Sequence, residues 1–305
     1  LADGAWRAQQ AVANAAFGES GQKLGLLERL GDVRQPVLML WGAKDRVIPL
    51  SHAVDALSAF PDAALKVLPA LLKELDSTPA EELPTLLAQG MFAGNIFDLG
   101  ATSTLALFEG GKSVDFRTVR VKLKPRPWLV DGLDGWLDRL KNGRPHRAAV
   151  LFVDNAGCDI VLGMIPFARF LLSRGTQVIL TANELPSLND VTYTELVALV
   201  QGIAQWDPVI GQALAEHRLE LVSSGNGAPL IDLRRVSPSL VEVVNRRQVD
   251  LVVLEGMGRG VESNFDAQLS CDAIKVAMIK DKGVADAMEG QLYDLVFRFD
   301  PAQAR

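Results

Sequence analysis

The sequence predicts an α/β protein built on a largely parallel sheet with helices on both faces. Two observations carry that prediction. From about residue 148 onward, short runs of Val, Ile and Leu alternate with longer segments of helical spacing. Strands that are apolar throughout and alternate with helices belong to a sheet covered on both sides. The second observation is where the polar residues fall. Acids, amides and glycines gather just after the apolar runs, and open parallel sheets collect ligands beyond that edge.

The chain divides into three stretches. Residues 1–70 hold a helix-like segment, then "PVLMLWGAKDRVIP", a buried-type strand leading into a polar loop, and a short strand at "ALKVLP". Residues 71–147 read mostly helical. Thr78 is expected as an N-cap, with Pro79 at the first helical position. After a Pro-containing connector, an amphipathic helix is expected to end near Gly143. Residues 148–305 carry the alternating pattern, with strands "AAVLFVDN", "QVILTAN", "LELVSSG", "DLVVLEGMG", "AIKVAMIK" and "YDLVFRFD". Helices are expected over "DIVLGMIPFARFLLSRG" and "VTYTELVALVQGIA".

Composition narrows the function classes. A chain of 305 residues with 49% apolar residues can bury a large core. A net charge of −6 argues against a general nucleic-acid grip, which needs a basic face. No apolar run is long enough to span a membrane without interruption. No signal peptide is visible, although a sequence starting at Leu1 leaves targeting open. Cys158 and Cys271 are expected as free thiols in a reducing, cytoplasmic compartment.

The strand ends carry the chemistry. Asp154 and Asn155 follow the first strand, Asn183 and Asp190 the second, Ser223 to Asn226 the third, "EGMGRG" (255–260) the fourth and Lys280 the fifth. Carboxylates and amides are hard oxygen ligands, suited to Mg2+ or Mn2+ rather than zinc. Glycine backbone with Arg259 and Lys280 can hold an anion beside such an ion. Metal and anion together point to phosphoryl hydrolysis or transfer. A single Asp or Asn after a strand is usually a cap or turn former. Five such ends in one region make a coincidence of caps the poorer account. Asp159 reads as a helix-start residue.

Several features are set aside. "LFEGGKS" (107–113) lacks the first glycine of a phosphate loop, and "GESG" (18–21) is no nucleophile elbow. His52, His146 and His217 have no zinc-like spacing. Cys158 reads as packing.

From about residue 83 to 301 the chain closely resembles the metal-dependent damage-control phosphatases. The nearest subgroup comprises plant stand-alone proteins and the C-terminal domain of vertebrate pantothenate kinase four. The resemblance rests on "AGNIFDLG", "RPWLVD", "FVDNAGCDIVLGMIPFARFLLSRGTQVILTANELPSLNDVT", "LVVLEGMGRGVESNF" and "YDLVFRFD". It implies a Rossmann-like, three-layer α/β/α core behind a helical subdomain. It also implies one divalent ion (Mn2+, Mg2+, Co2+ or Ni2+) held by Asp154, Asn155 and Asp190. Lys280 matches a lysine that meets the substrate phosphate. Asn95 and Asp98 match a cleft motif, and Gly256, Gly258 and Arg259 fall in the subgroup signature. Small phosphorylated metabolites are the implied partners, with 4′-phosphopantetheine and its oxidised forms foremost. A homo-oligomer is compatible with the sequence. Asp154 or Glu255 is expected to orient the water, and Asp154 as nucleophile stays open.

Residues 1–70 instead resemble a late fragment of an α/β-hydrolase, with Asp45 at the triad-acid position. Neither nucleophile elbow nor catalytic His accompanies it, so this stretch is expected to be non-catalytic. The alternatives to a phosphatase are an α/β-hydrolase acting on an ester or carbon–carbon bond, an inactive binding module, and nucleotide binding through "EGMGRG".

Overall fold

The computed structural model describes residues 17–18, 21–22, 64–96 and 116–302. Asp45, Asp98 and most of the hydrolase-like stretch lie outside the described residues. The chain forms two compact units, Leu1–Lys66 and Val67–Arg305. In the first, Phe17–Gly18 pairs antiparallel with Gly21–Gln22.

The second unit is built on a seven-stranded sheet. Its strands are β1 (Val130–Asp131), β2 (Ala148–Phe152), β3 (Gln177–Ala182), β4 (Leu219–Ser223), β5 (Leu251–Glu255), β6 (Asp272–Met278) and β7 (Leu295–Asp300). They lie in the order β1-β7-β6-β5-β2-β3-β4. All neighbours are parallel except β6 and β7, which run antiparallel. The six strands expected over residues 148–305 are all present. Both β2 and β6 are buried along their whole length, which is why they read as unbroken apolar runs.

The helices follow from spacing and caps. In order they are α1 (Ala64–Asp76), α2 (Leu83–Ile96), α3 (Phe116–Lys122), α4 (Leu133–Asn142), α5 (Ile165–Ser173), α6 (Tyr193–Ala204), α7 (Pro208–Ala215), α8 (Pro238–Arg247) and α9 (Lys282–Ala287). A capping box of Thr192 and Glu195 opens α6, and Asp207 and Ser237 cap α7 and α8, each followed by Pro at the first position. Gly143 follows α4 as expected. No helix among the described residues is long and apolar enough to cross a membrane.

Two local expectations fail. "ALKVLP" is the start of α1, not a strand. Leu68, Leu71, Leu72 and Leu75 are buried at helical spacing, and that stripe outweighs Pro69 within it. Thr78 does not cap the next helix. Its hydroxyl donates to the Glu74 carbonyl at 2.9 Å and so closes α1, while α2 starts five residues later at Leu83. The hydroxyl finds an orphan carbonyl behind it rather than an amide ahead.

Topology decides where the site can lie. From β2 the chain runs outward through β3 to β4, then returns to lay β5 on the other side of β2. The switch point therefore falls between β2 and β5, and ligands bind beyond the carboxyl ends of such a pair. At the opposite edge, buried His146 meets Asp272 at 2.8 Å and stacks on Trp136. That pairing accounts for His146 without a metal.

Candidate active site

Asp154 and Asn155 stand just beyond β2, and Glu255 and Gly256 at the end of β5. The two strand ends meet at Gly256. Its φ is +98°, and a Cβ there would lie 2.3 Å from Asp154 Cγ. Only glycine allows both that conformation and that approach. Beyond it, residues Met257–Glu262 form a π-helical turn that carries Arg259 inward.

Helix α2 closes the site from the other side. It packs on β6 and on a second π-helical turn, Asp159–Met164. A Cβ at Gly94 would lie 3.0 Å from Asp159 Cα, so this glycine lets the helix approach closely. The approach delivers Asn95, whose amide donates to Asp159 Oδ2 and Glu255 Oε1, each at 2.9 Å. Lys280 Nζ donates to the Asn95 carbonyl at 2.9 Å.

The acids form two groups that share Asp154. In the first, Asp154, Asp159 and Glu255 each offer an oxygen within 4.8 Å of the others. Protein donors already serve most of these oxygens. The Asn155 amide donates to Asp154 Oδ2 at 3.0 Å and Asp159 Oδ2 at 2.8 Å, and the Asp154 amide to Glu255 Oε2 at 2.7 Å. In the second group, Asp154 and Asp190 converge on Arg259. Nη1 donates to Asp154 Oδ1, and Nη2 to Asp190 Oδ2 at 2.8 Å. Asn183 completes the cluster, donating to Asp190 Oδ2 at 2.7 Å and accepting from Arg259 Nη2 at 3.1 Å.

Burial sets the protonation. It pushes the Asp154 carboxyl up to about 7, with Asp159 and Asp190 adding to the shift and Arg259 and Lys280 opposing it. Burial likewise raises Asp159, against the pull of Lys280. Glu255 goes well above its usual range, by burial and then by Asp159 and Asp154. Burial works against charge on Arg259, but Asp154 and Asp190 outweigh it. Three charged carboxylates in such proximity need a proton or a cation. Asp159 Oδ1, buried without a hydrogen-bond partner, marks the same need.

The protonation has a sign that can be measured. Between the ordinary value of 3.8 and about 7, folded Asp154 keeps a proton that the unfolded chain has released. Stability from this group is therefore complete below 3.8 and lost as pH rises through about 7. With chelator present, the melting temperature is expected to fall across that window, and less steeply for Asp154→Asn. A melting temperature that climbs through the window contradicts this arrangement.

The sequence-derived residues are thus placed unevenly. Asp154, Asn155, Asp190, Glu255, Gly256, Arg259, Asn95 and Lys280 come together. Gly258 does not face the acids; a Cβ there would meet the Pro229 carbonyl at 2.7 Å. Arg259 turns toward carboxylates rather than an open anion cradle. Asp159 does begin a helical turn, yet its carboxylate joins the cluster, a role that sequence reasoning missed. The available signal was an acid set one tight turn beyond "DN". Cys158, raised to about 12 by burial and then by Asp159, fits its reading as packing.

Comparisons with known proteins converge on one family. Residues 61–296 match the family model described as the damage-control phosphatase ARMT1-like domain. The chain is 45% identical over 220 residues to a damage-control phosphatase of Arabidopsis thaliana, covering 72% of this chain and 58% of that protein. It is 37% identical over 284 residues to a Mus musculus protein named 4′-phosphopantetheine phosphatase, covering 78% of this chain and 34% of the relative. It is 40% identical over 268 residues to an Arabidopsis thaliana protein named pantothenate kinase 2, covering 79% and 29%. The chain therefore spans only part of each relative's length. A crystal structure of a DUF89 family protein from Pyrococcus horikoshii superposes with a TM-score of 0.48 at 18% identity, covering 81% of this chain and 78% of that one.

Proposed function

The chain belongs to the damage-control phosphatase ARMT1-like domain family, and from that premise we propose that it hydrolyses phosphomonoesters of small metabolites with one divalent ion. The observation that carries this reading is the gathering of Asp154, Asn155, Asp190 and Arg259 at the switch point, against the close turn at Gly256. Hard oxygen donors beside cationic side chains are what phosphoryl chemistry requires.

Asp154, Asn155 and Asp190 are the proposed ligands. Protein donors serve Asp159 Oδ2 and both Glu255 oxygens, leaving Asp159 Oδ1 without a partner, whereas Asp154 and Asp190 point together at positive charge. Bound there, a divalent ion supplies charge to the phosphoryl oxygens and lowers the pKa of the attacking water. Lys280 is proposed to face the same oxygens. Hydrolysis forms a bond from water oxygen to phosphorus and breaks the ester P–O bond. Water gives up one proton and the leaving alkoxide takes up another. Asp154 and Glu255, whose carboxyls burial raises above their usual range, are the acids placed to handle them.

The mouse relative's name makes 4′-phosphopantetheine the substrate to try first, and its oxidised forms are proposed as the next. Mn2+, Mg2+, Co2+ and Ni2+ are to be ranked in the same assay. The decisive variant is Asp190→Ala. Metal-stimulated release of phosphate from an aryl phosphate is expected to drop at least about a hundredfold, with the circular-dichroism spectrum unchanged. Activity at the wild-type level would falsify the ligand assignment.

A further inference from the structure

Arg259 does something that a simple phosphate ligand would not. Its side chain is only 1% exposed, yet it carries a full charge. Both terminal nitrogens are committed, one to Asp154 and the other to Asp190 and Asn183. These two acids are the pair assigned above to the ion. The base of the side chain is fixed by the fold, because Asn264 donates to the Arg259 carbonyl at 3.0 Å and the π-helical turn holds its Cα inward. The guanidinium end is held by those carboxylates and by the Asn183 amide oxygen.

We propose that Arg259 and the divalent ion contend for the same two carboxylates, so that ion binding turns the guanidinium off Asp154 and Asp190 and frees it for an anionic group. The inference rests on the metal-dependent reading of this site. Its physics is simple. A divalent ion sits about 2.0–2.6 Å from carboxylate oxygen. With the guanidinium still on Asp154 Oδ1 and Asp190 Oδ2, two positive groups would be forced together in a buried site, where charges interact strongly. One of them must give way. The arginine has the longer reach, and two oxygens of a phosphate group can replace the two lost carboxylates as a bidentate partner. No covalent bond changes. Arg259 thereby links ion loading to anion binding, a coupling that must be reciprocal.

Calorimetric titration of the full chain with Mn2+ alone tests the competition without relying on turnover. Arg259→Met, which removes the competitor, is expected to bind Mn2+ on the order of tenfold more tightly than wild type. Removal of a nearby positive charge would also tighten binding, so Arg259→Lys separates the two causes. It keeps the charge but loses the two-armed bridge, and it too is expected to bind more tightly than wild type, by a smaller factor. Inorganic phosphate is expected to tighten Mn2+ binding in wild type more than in Arg259→Met. If Arg259→Lys matches or falls below wild-type affinity, or phosphate tightens both proteins equally, the competition is overturned. The lysine arm also keeps the test open should the methionine variant not fold. A wild-type chain that binds no Mn2+ removes the metal reading itself, a failure distinct from these.

Discussion

Gly256→Ala is expected to abolish metal binding and turnover together and to destabilise the fold by roughly 2–5 kcal/mol. Two independent costs meet at this position. With φ at +98°, an L side chain is strained whatever the space around it. The added carbon would also lie 2.3 Å from both Asp154 Cγ and Oδ2, so either the acid or the β5 end must shift. Geometry around a bound ion tolerates little displacement, and moving Asp154 breaks its bonds to Asn155 and Arg259. Urea denaturation and Mn2+ titration read the two effects separately. A variant that keeps wild-type metal affinity would mean that Gly256 is not what sets the position of Asp154.

Asp154→Asn is expected to split activity from stability. Phosphate release should fall by at least about a thousandfold, because the acid shared by both carboxylate groups is lost. The metal-free protein should nevertheless melt higher than wild type above pH 7. The carboxyl is raised to about 7, so its surroundings as a whole disfavour the charge in spite of Arg259. An amide of the same shape removes the charge and keeps a hydrogen-bonding oxygen. Such gains at a functional position are the usual sign of a site that holds charge against the interest of the fold. A lower melting temperature at pH 8 would show that the Arg259 pairing outweighs the repulsion from Asp159 and Asp190.

Much of this was legible because the sheet is buried on both faces. Strands with no solvent side leave unbroken apolar runs, and parallel connections place every ligand-bearing end on one edge. Asp154, Asp190, Glu255 and Lys280 could therefore be picked out as strand-end residues before any coordinates. What stayed hidden depends on tertiary approach. Asp159 lies where a helix-start acid is ordinary, and only the docking of α2 at Gly94 gives its carboxylate a partner in Asn95. Arg259 carries no mark of its inward turn, since a π-helical register cannot be read from periodicity of 3.6. In α1 the local signals conflicted. Proline and a β-branched residue spoke for a strand end, and the leucine stripe beyond them decided for a helix.

The position of Asn95 has a consequence for how the molecule comes to be active. Its side chain bridges to Glu255 across 160 residues of sequence, and its backbone carbonyl to Lys280 across 185. Contacts so distant along the chain form late, after the more local β2–β3–β4 pairings have given the chain a surface to close upon. The closing of α2 over the carboxylates is therefore expected among the late steps of folding, so competence depends on contacts that the pairing of β2, β3 and β4 does not itself need.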